Sequence, residues 1–369
     1  MEASSRPDSR PGPAVRRLPL MAMAVVALIA GLWSGLVLLG LDIPTLRPGL
    51  GADHGILMVL GFLGTQIGLE RAVALGRPWT YLAPAAAGAG ALWLILGLPE
   101  AFGQAIFAFG GLVLVGVFVE VHRIQPSWHN LVMGLGAASW LVGAAIWMGG
   151  AAITLVVPWL AAFLILTIVG ERLELSRMAR PPAYAIKMLL GIVAIFLAGI
   201  ILDSIGYEDA GIRIAGAGLL GQALWLARYD VARRTIRIPG PTRYMASALI
   251  AGYFWLAVAG VIWICSGVLL GAGFAYDAMI HSIFVGFVFS MIFAHAPVII
   301  PAVLGVPLPF RRSFYGPLAL LHVGLLVRLA GDATDRTAVW QLGGVLNEIA
   351  ILAFFALAAS SAVRARAGR

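Results

Sequence analysis

Long apolar runs broken by short polar intervals cover nearly the whole chain. An α-helix needs about 20 apolar residues to cross the hydrocarbon of a bilayer. By that measure the pattern predicts twelve spans: 18–41, 54–76, 79–98, 101–121, 129–149, 151–171, 183–203, 209–228, 244–270, 278–299, 313–331 and 337–362. Two boundaries are soft. Runs five and six nearly touch at Gly149–Gly150, and Pro297 and Pro301 are expected to disturb the helix end after His295. The predicted fold class is all-α, a polytopic transmembrane helix bundle of about twelve spans forming one domain over residues 18–369. Residues 1–17 hold three prolines and four arginines and read as a disordered basic cytoplasmic arm. The first apolar run is too long for the core of a cleavable signal peptide and reads as the first span. No 6+6 repeat emerges: Ile67-Gly-Leu-Glu-Arg71 and Ile168-Val-Gly-Glu-Arg172 match only briefly.

Charge tests the topology. With the N-terminus inside, 21 of the 25 basic residues fall on the inner side, leaving Arg47, Arg213, Arg328 and Arg336 outside. This asymmetry predicts an even number of spans with both termini cytoplasmic, in the inner membrane of a bacterium. The outer loops are acidic instead, at Asp42, Asp53, Glu100, Asp203, Glu208, Asp209, Asp277, Asp332 and Asp335. They describe ordinary solvated loop ends, or a surface suited to a cationic electron-transfer partner. Composition agrees with a membrane solvent: 61% hydrophobic, 11% charged, mean hydropathy +0.96. The net charge of +8 therefore calls for no nucleic acid, and the lipid bilayer is the expected partner. A single cysteine, Cys265, rules out an intrachain disulfide.

Ionisable residues inside hydrocarbon cost about 2.5–3.5 kcal/mol each on insertion scales, so each needs an account. His54 opens the second span at its outer end. At helical spacing it shares a face with Met58, Gly61, Thr65 and Gly68. That stripe suits a flat macrocycle ligated by the imidazole, and equally an interfacial histidine above a packing stripe. His281 opens span ten at similar depth, so a bis-histidine haem between the two spans is geometrically allowed. His295 lies about 21 Å further along span ten, too far to share one ion with His281. His322, Asn347 and Glu348 sit near mid-membrane, as a metal or proton site or as mutual satisfaction of buried polar groups. Glu70 with Arg71, and Glu171 with Arg172, read as anchors at inner helix ends; His122 and His129 read as interfacial. Arg328 is placed to neutralise a haem propionate or to snorkel. The chain lacks a phosphate-binding loop, a Gly-x-Ser-x-Gly elbow, a His-Glu-x-x-His motif and a Cys-x-x-Cys-His haem attachment.

The segment His54-Gly-Ile-Leu-Met58 resembles the His-Gly-x-x-Met segment of haem–copper oxidase subunit I, where the histidine ligates the low-spin haem. Span ten, from His281 to His295, resembles the histidine-headed helix of the NnrS family, twelve-span bacterial proteins tied to nitric oxide metabolism and associated with haem and copper. The resemblance implies a haem b held by His54 and His281, with Met58 and Arg328 beside it. It further implies copper or a second metal near His295 or His322, and a role in nitrosative stress or respiratory electron transfer. The oxidase copper site is missing: span six has no His-Pro-Glu-Val-Tyr and span seven no adjacent histidines. The alternative is a twelve-span transporter of a small solute or ion, with Arg328, His322, Asn347 and Glu348 as its polar pathway. Substrate, turnover and oligomeric state stay open.

Overall fold

A helix that is apolar on every face is stable only inside a protein or against lipid. The computed structural model describes residues 17–269 and 273–367; it is built from such helices and contains no strand among those residues. Eleven helices are long and apolar enough to cross a membrane. With one shorter helix they run in chain order as α1 (Leu18–Leu38), α2 (Leu50–Leu75), α3 (Leu82–Ile95), α4 (Glu100–Ile124), α5 (Trp128–Met148), α6 (Ile153–Ser176), α7 (Ala183–Ser204), α8 (Glu208–Tyr229), α9 (Pro241–Ser266), α10 (Ala275–Val303), α11 (Tyr315–Thr334) and α12 (Thr337–Ala367). The predicted arm at 1–17 lies outside the described residues, apart from Arg17.

Short connections make successive helices antiparallel neighbours, which gives the bundle two distinct ends. One carries His54 and His281, and the other carries Arg71 and Arg172; they are called here the histidine end and the arginine end. The Arg17 side chain donates to the Val303 carbonyl at 2.8 Å, and Ser361 Oγ donates to the Pro309 carbonyl at 3.0 Å. Both ends of the described chain therefore lie at the arginine end.

The third predicted span is the shorter helix. Pro78 opens a 3₁₀ turn, Pro78–Tyr81, and only Leu82–Ile95 is α-helical. Even so, this segment runs from end to end. Arg77 pairs with Glu120 of α4 at the arginine end at 2.9 Å, and Arg47 Nε holds the Leu94 carbonyl at the histidine end at 2.9 Å. Its sequence is rich in Ala and Gly because its neighbours press close. A side chain at Gly88 would meet Met23, and one at Gly90 would meet Phe107.

α6 is the axis of the bundle: 83% of its most apolar window is buried, against 33% for α7 at the periphery. α2 and α10 pack beside it, and each contains an eight-residue π-helical stretch, at Leu57–Gly64 and Ser282–Phe289. No sequence pattern announced these. The prolines of α10 do not end it as expected. The helix runs through Pro297 and Pro301 to Leu304 and stops at Gly305, whose φ of 65° lets its N–H return to the Pro301 carbonyl at 2.8 Å.

Candidate functional site

His54 stands where a 3₁₀ turn, Leu50–Asp53, passes into α2. Its Nδ1 lies 2.7 Å from the Gly31 carbonyl of α1. A carbonyl only accepts, so in the neutral ring Nδ1 carries the proton and Nε2 keeps a free lone pair. Gly35 makes the approach to α1 geometrically feasible. A Cβ there would sit 3.0 Å from His54 Cε1 and 2.9 Å from Glu348 Oε1. Both side chains thus occupy space that any larger residue at 35 would fill.

His281 is built the same way from the other side. Its Nδ1 lies 3.0 Å from the Asp277 carbonyl and 3.1 Å from Asp277 Oδ1, one helical turn earlier. Both partners accept, so Nε2 is again the free nitrogen. The Asp277 carboxylate is held in turn by Arg328 of α11, whose Nε and Nη2 each reach it at 2.6 Å. The Arg328 guanidinium lies 5.7 Å over the Trp340 ring of α12. A carboxylate fixing the remote nitrogen of an imidazole, and itself fixed, is the arrangement that orients histidines at metal centres.

The two histidines line one cavity of about 950 Å³ at the histidine end, near the upper size of small-molecule and cofactor sites. Met58, Arg328, Asn347 and Glu348 also line it, as do Arg47, Asp53 and Glu100. Asp277 and Tyr276 line it too, and the rest of its wall is largely apolar, including Val59, Leu63, Phe284, Val285 and Phe289. Arg47 and Asp53 form an ion pair at the rim. Glu348 makes no hydrogen bond or ion pair among the described residues. Asn347 Nδ2 donates to the Leu321 carbonyl at 2.7 Å, while its Oδ1 is buried without a partner.

Six of the residues singled out from sequence therefore meet at one cavity, and four do not. His322 lies away from its lining. Trp255 Nε1 donates to His322 Nδ1 at 3.0 Å, which puts the proton on Nε2, the reverse of the cavity histidines. That Nε2 is buried without a partner. His295 lies at the arginine end, with Nε2 3.2 Å from Arg172 Nη1. Arg71 pairs there with Glu171 and, at 3.5 Å, with Glu70. Among the described residues no group of three or more His, Cys, Asp or Glu is gathered to hold a bare metal ion.

Asp277, Gly35 and the Arg47–Asp53 pair were not assigned to the site from sequence. The signal for Asp277 was present: it stands four residues before His281, one turn along the same helix face. Nothing local marks Gly35, whose role depends on α2 and α12 both crossing α1. No curated protein and no solved structure matches the chain. A family model described as Domain of unknown function (DUF8744) matches residues 17–363, and the chain belongs to that family.

Proposed function

We infer that this chain is a haem-binding integral membrane protein, with one b-type haem held by His54 and His281. One observation carries the reading: two imidazoles, each fixed through Nδ1 and each with Nε2 free, line a single large cavity. The residues fit such a group. Gly35 leaves room for His54 itself, Met58 and Phe284 offer apolar walls, and Arg328 makes no hydrogen bond through Nη1 among the described residues while Asp277 holds its Nε and Nη2. When bound, haem supplies a one-electron redox centre. The chain's own part is to orient both imidazoles, to set their basicity through Gly31 and Asp277, and to surround the site with apolar side chains. The resemblance to the NnrS family favours a role in nitric oxide or nitrosative stress responses, or in respiratory electron transfer. The charge asymmetry favours an inner bacterial membrane with the arginine end cytoplasmic, so that the cavity opens outward.

The test is an absorption spectrum of the detergent-purified protein, oxidised and reduced. The expected result is a Soret band that is lost or shifted in His54→Ala and in His281→Ala, with both variants still monodisperse and helical. A chain purified from haem-replete cells without a Soret band, or variants whose spectrum is unchanged, would sink the reading.

A further inference from the structure

The cavity stops at Phe289 of α10 and Leu63 of α2, and what lies beyond differs in kind. A layer of aromatic rings comes first. Phe293, one turn past Phe289, stacks on Phe354 of α12 with centroids 3.9 Å apart and planes 10° apart. Phe314 and Phe355 pack edge-on against Phe354, and Phe62 of α2 packs edge-on against Phe355. Beyond the rings, at the arginine end, lies a buried ionic network. Arg71 of α2 pairs with Glu171 of α6. Arg172 of α6, only 2% exposed, grips Asp230 through Nε at 2.9 Å and Nη2 at 3.1 Å, and its Nη1 reaches His295 of α10 at 3.2 Å.

The network ties α2 and α10 to α6 and to the α8–α9 connection. A buried ion pair is weak evidence of added stability, because well-packed apolar residues do as well or better; registry and switching are its best-attested uses. The two helices it ties are also the two with π-helical stretches beside the cavity. Such stretches gather at functional sites and are places where helices bend. In α10, Pro297 and Pro301 additionally remove the N–H groups that would bond the Phe293 and Pro297 carbonyls. The segment carrying Phe293 and His295 thus runs into carbonyls that lack their helical donors, and a hydrogen bond from Arg172 to the His295 imidazole links it to α6.

We propose that the aromatic layer and the Arg71–Glu171 and Arg172–Asp230–His295 network form a closed gate, through which the cavity gains a second aqueous access route from the arginine end. Water and small polar solutes then reach the cavity floor from either end, and the bundle conducts between its two faces. This goes beyond haem binding and does not depend on it.

The test uses full-length protein in membrane vesicles of both orientations, with Cys265→Ser to remove the native thiol. Ser290→Cys places a reporter one residue past the cavity floor, at a buried position of similar size. The probe is a charged, membrane-impermeant methanethiosulfonate. Labelling from the arginine end is expected to rise at least tenfold when the network is neutralised in pairs, as Arg172→Gln with Asp230→Asn, or separately as Arg71→Gln with Glu171→Gln. Removing Arg172 with Asp230 leaves no lone buried charge; Glu70→Gln is added to the Arg71–Glu171 variant because Glu70 also pairs with Arg71, and the two halves are independent variants. Hydrogen exchange on the unsubstituted chain supplies a second reading: amides of 65–75 and 293–303 should exchange faster than those of α6. Unchanged labelling in a folded pair variant, or equal protection of the three segments, would show a static staple and overturn the gate.

Discussion

A histidine in an apolar run declares itself, but its tautomer does not. His54, His281, His295 and His322 all stand out in the sequence by the same token, the cost of an ionisable group in hydrocarbon. The four separate only when their partners are seen. An accepting oxygen at Nδ1 frees Nε2 in the first two, a donating indole reverses His322, and a guanidinium occupies His295. Asp277 is the most informative residue on this scale, because one carboxylate orients both His281 and Arg328. Asp277→Asn is expected to weaken haem retention by about 10–100-fold, the usual effect of losing an outer-shell partner. Titrating haem into the apo-protein measures it. Far-UV circular dichroism separates this loss from unfolding, since breaking one side of a buried pair costs about 3–5 kcal/mol. An unchanged affinity would reduce Asp277 to a clamp between α10 and α11.

At the scale of elements, hydropathy was a good guide to where helices exist and a poor one to their internal geometry. Eleven of the twelve expected spans stand as long apolar helices. The third is shorter because its first turn, opened by Pro78, is 3₁₀ and its far end stops before Gly97, whose φ is 71°. The π-helical stretches escaped notice because a change of hydrogen-bond register leaves no mark on composition. They matter to the site. Each follows a cavity histidine, His54 by three residues and His281 at once, so each sets how the rest of its helix is turned relative to that histidine. Deleting one residue there, Leu60, is expected to restore ordinary α-helix and to change how His54 is turned relative to α2's lower half. The chain should keep its helicity while the haem spectrum changes to that of a site lacking one histidine. A deletion variant with native spectrum would mean that the turn at Leu50–Asp53, not the π stretch, aims His54.

The whole molecule sharpens the charge argument in a way no residue count does. Four basic residues were counted against the expected orientation, yet three are spent locally. Arg47 pairs with Asp53, Arg213 with Asp209, and Arg328 with Asp277, leaving Arg336 without an ion pair at the histidine end among the described residues. The arginine end keeps exposed cations that make no ion pair among the described residues, such as Arg228, Arg233, Arg312 and Arg364. Parity rests on α3, the one helix that length and hydropathy alone would discard. Its 3₁₀ turn and helix together extend about 29 Å, at about 2.0 and 1.5 Å per residue, close to the thickness of the hydrocarbon. If α3 crosses, both termini share a side, and the positive-inside rule makes that side the cytoplasm. A C-terminal green fluorescent protein fusion should then fluoresce, and an alkaline phosphatase fusion at the same point should be inactive. Phosphatase joined after Gly97 should be active, because that turn lies at the histidine end beside Arg47. An inactive fusion at Gly97 with the C-terminal pair as expected would mean that α3 turns back within the membrane. The cavity would then need a different account of which face it opens to, although the pairing of His54 with His281 would stand.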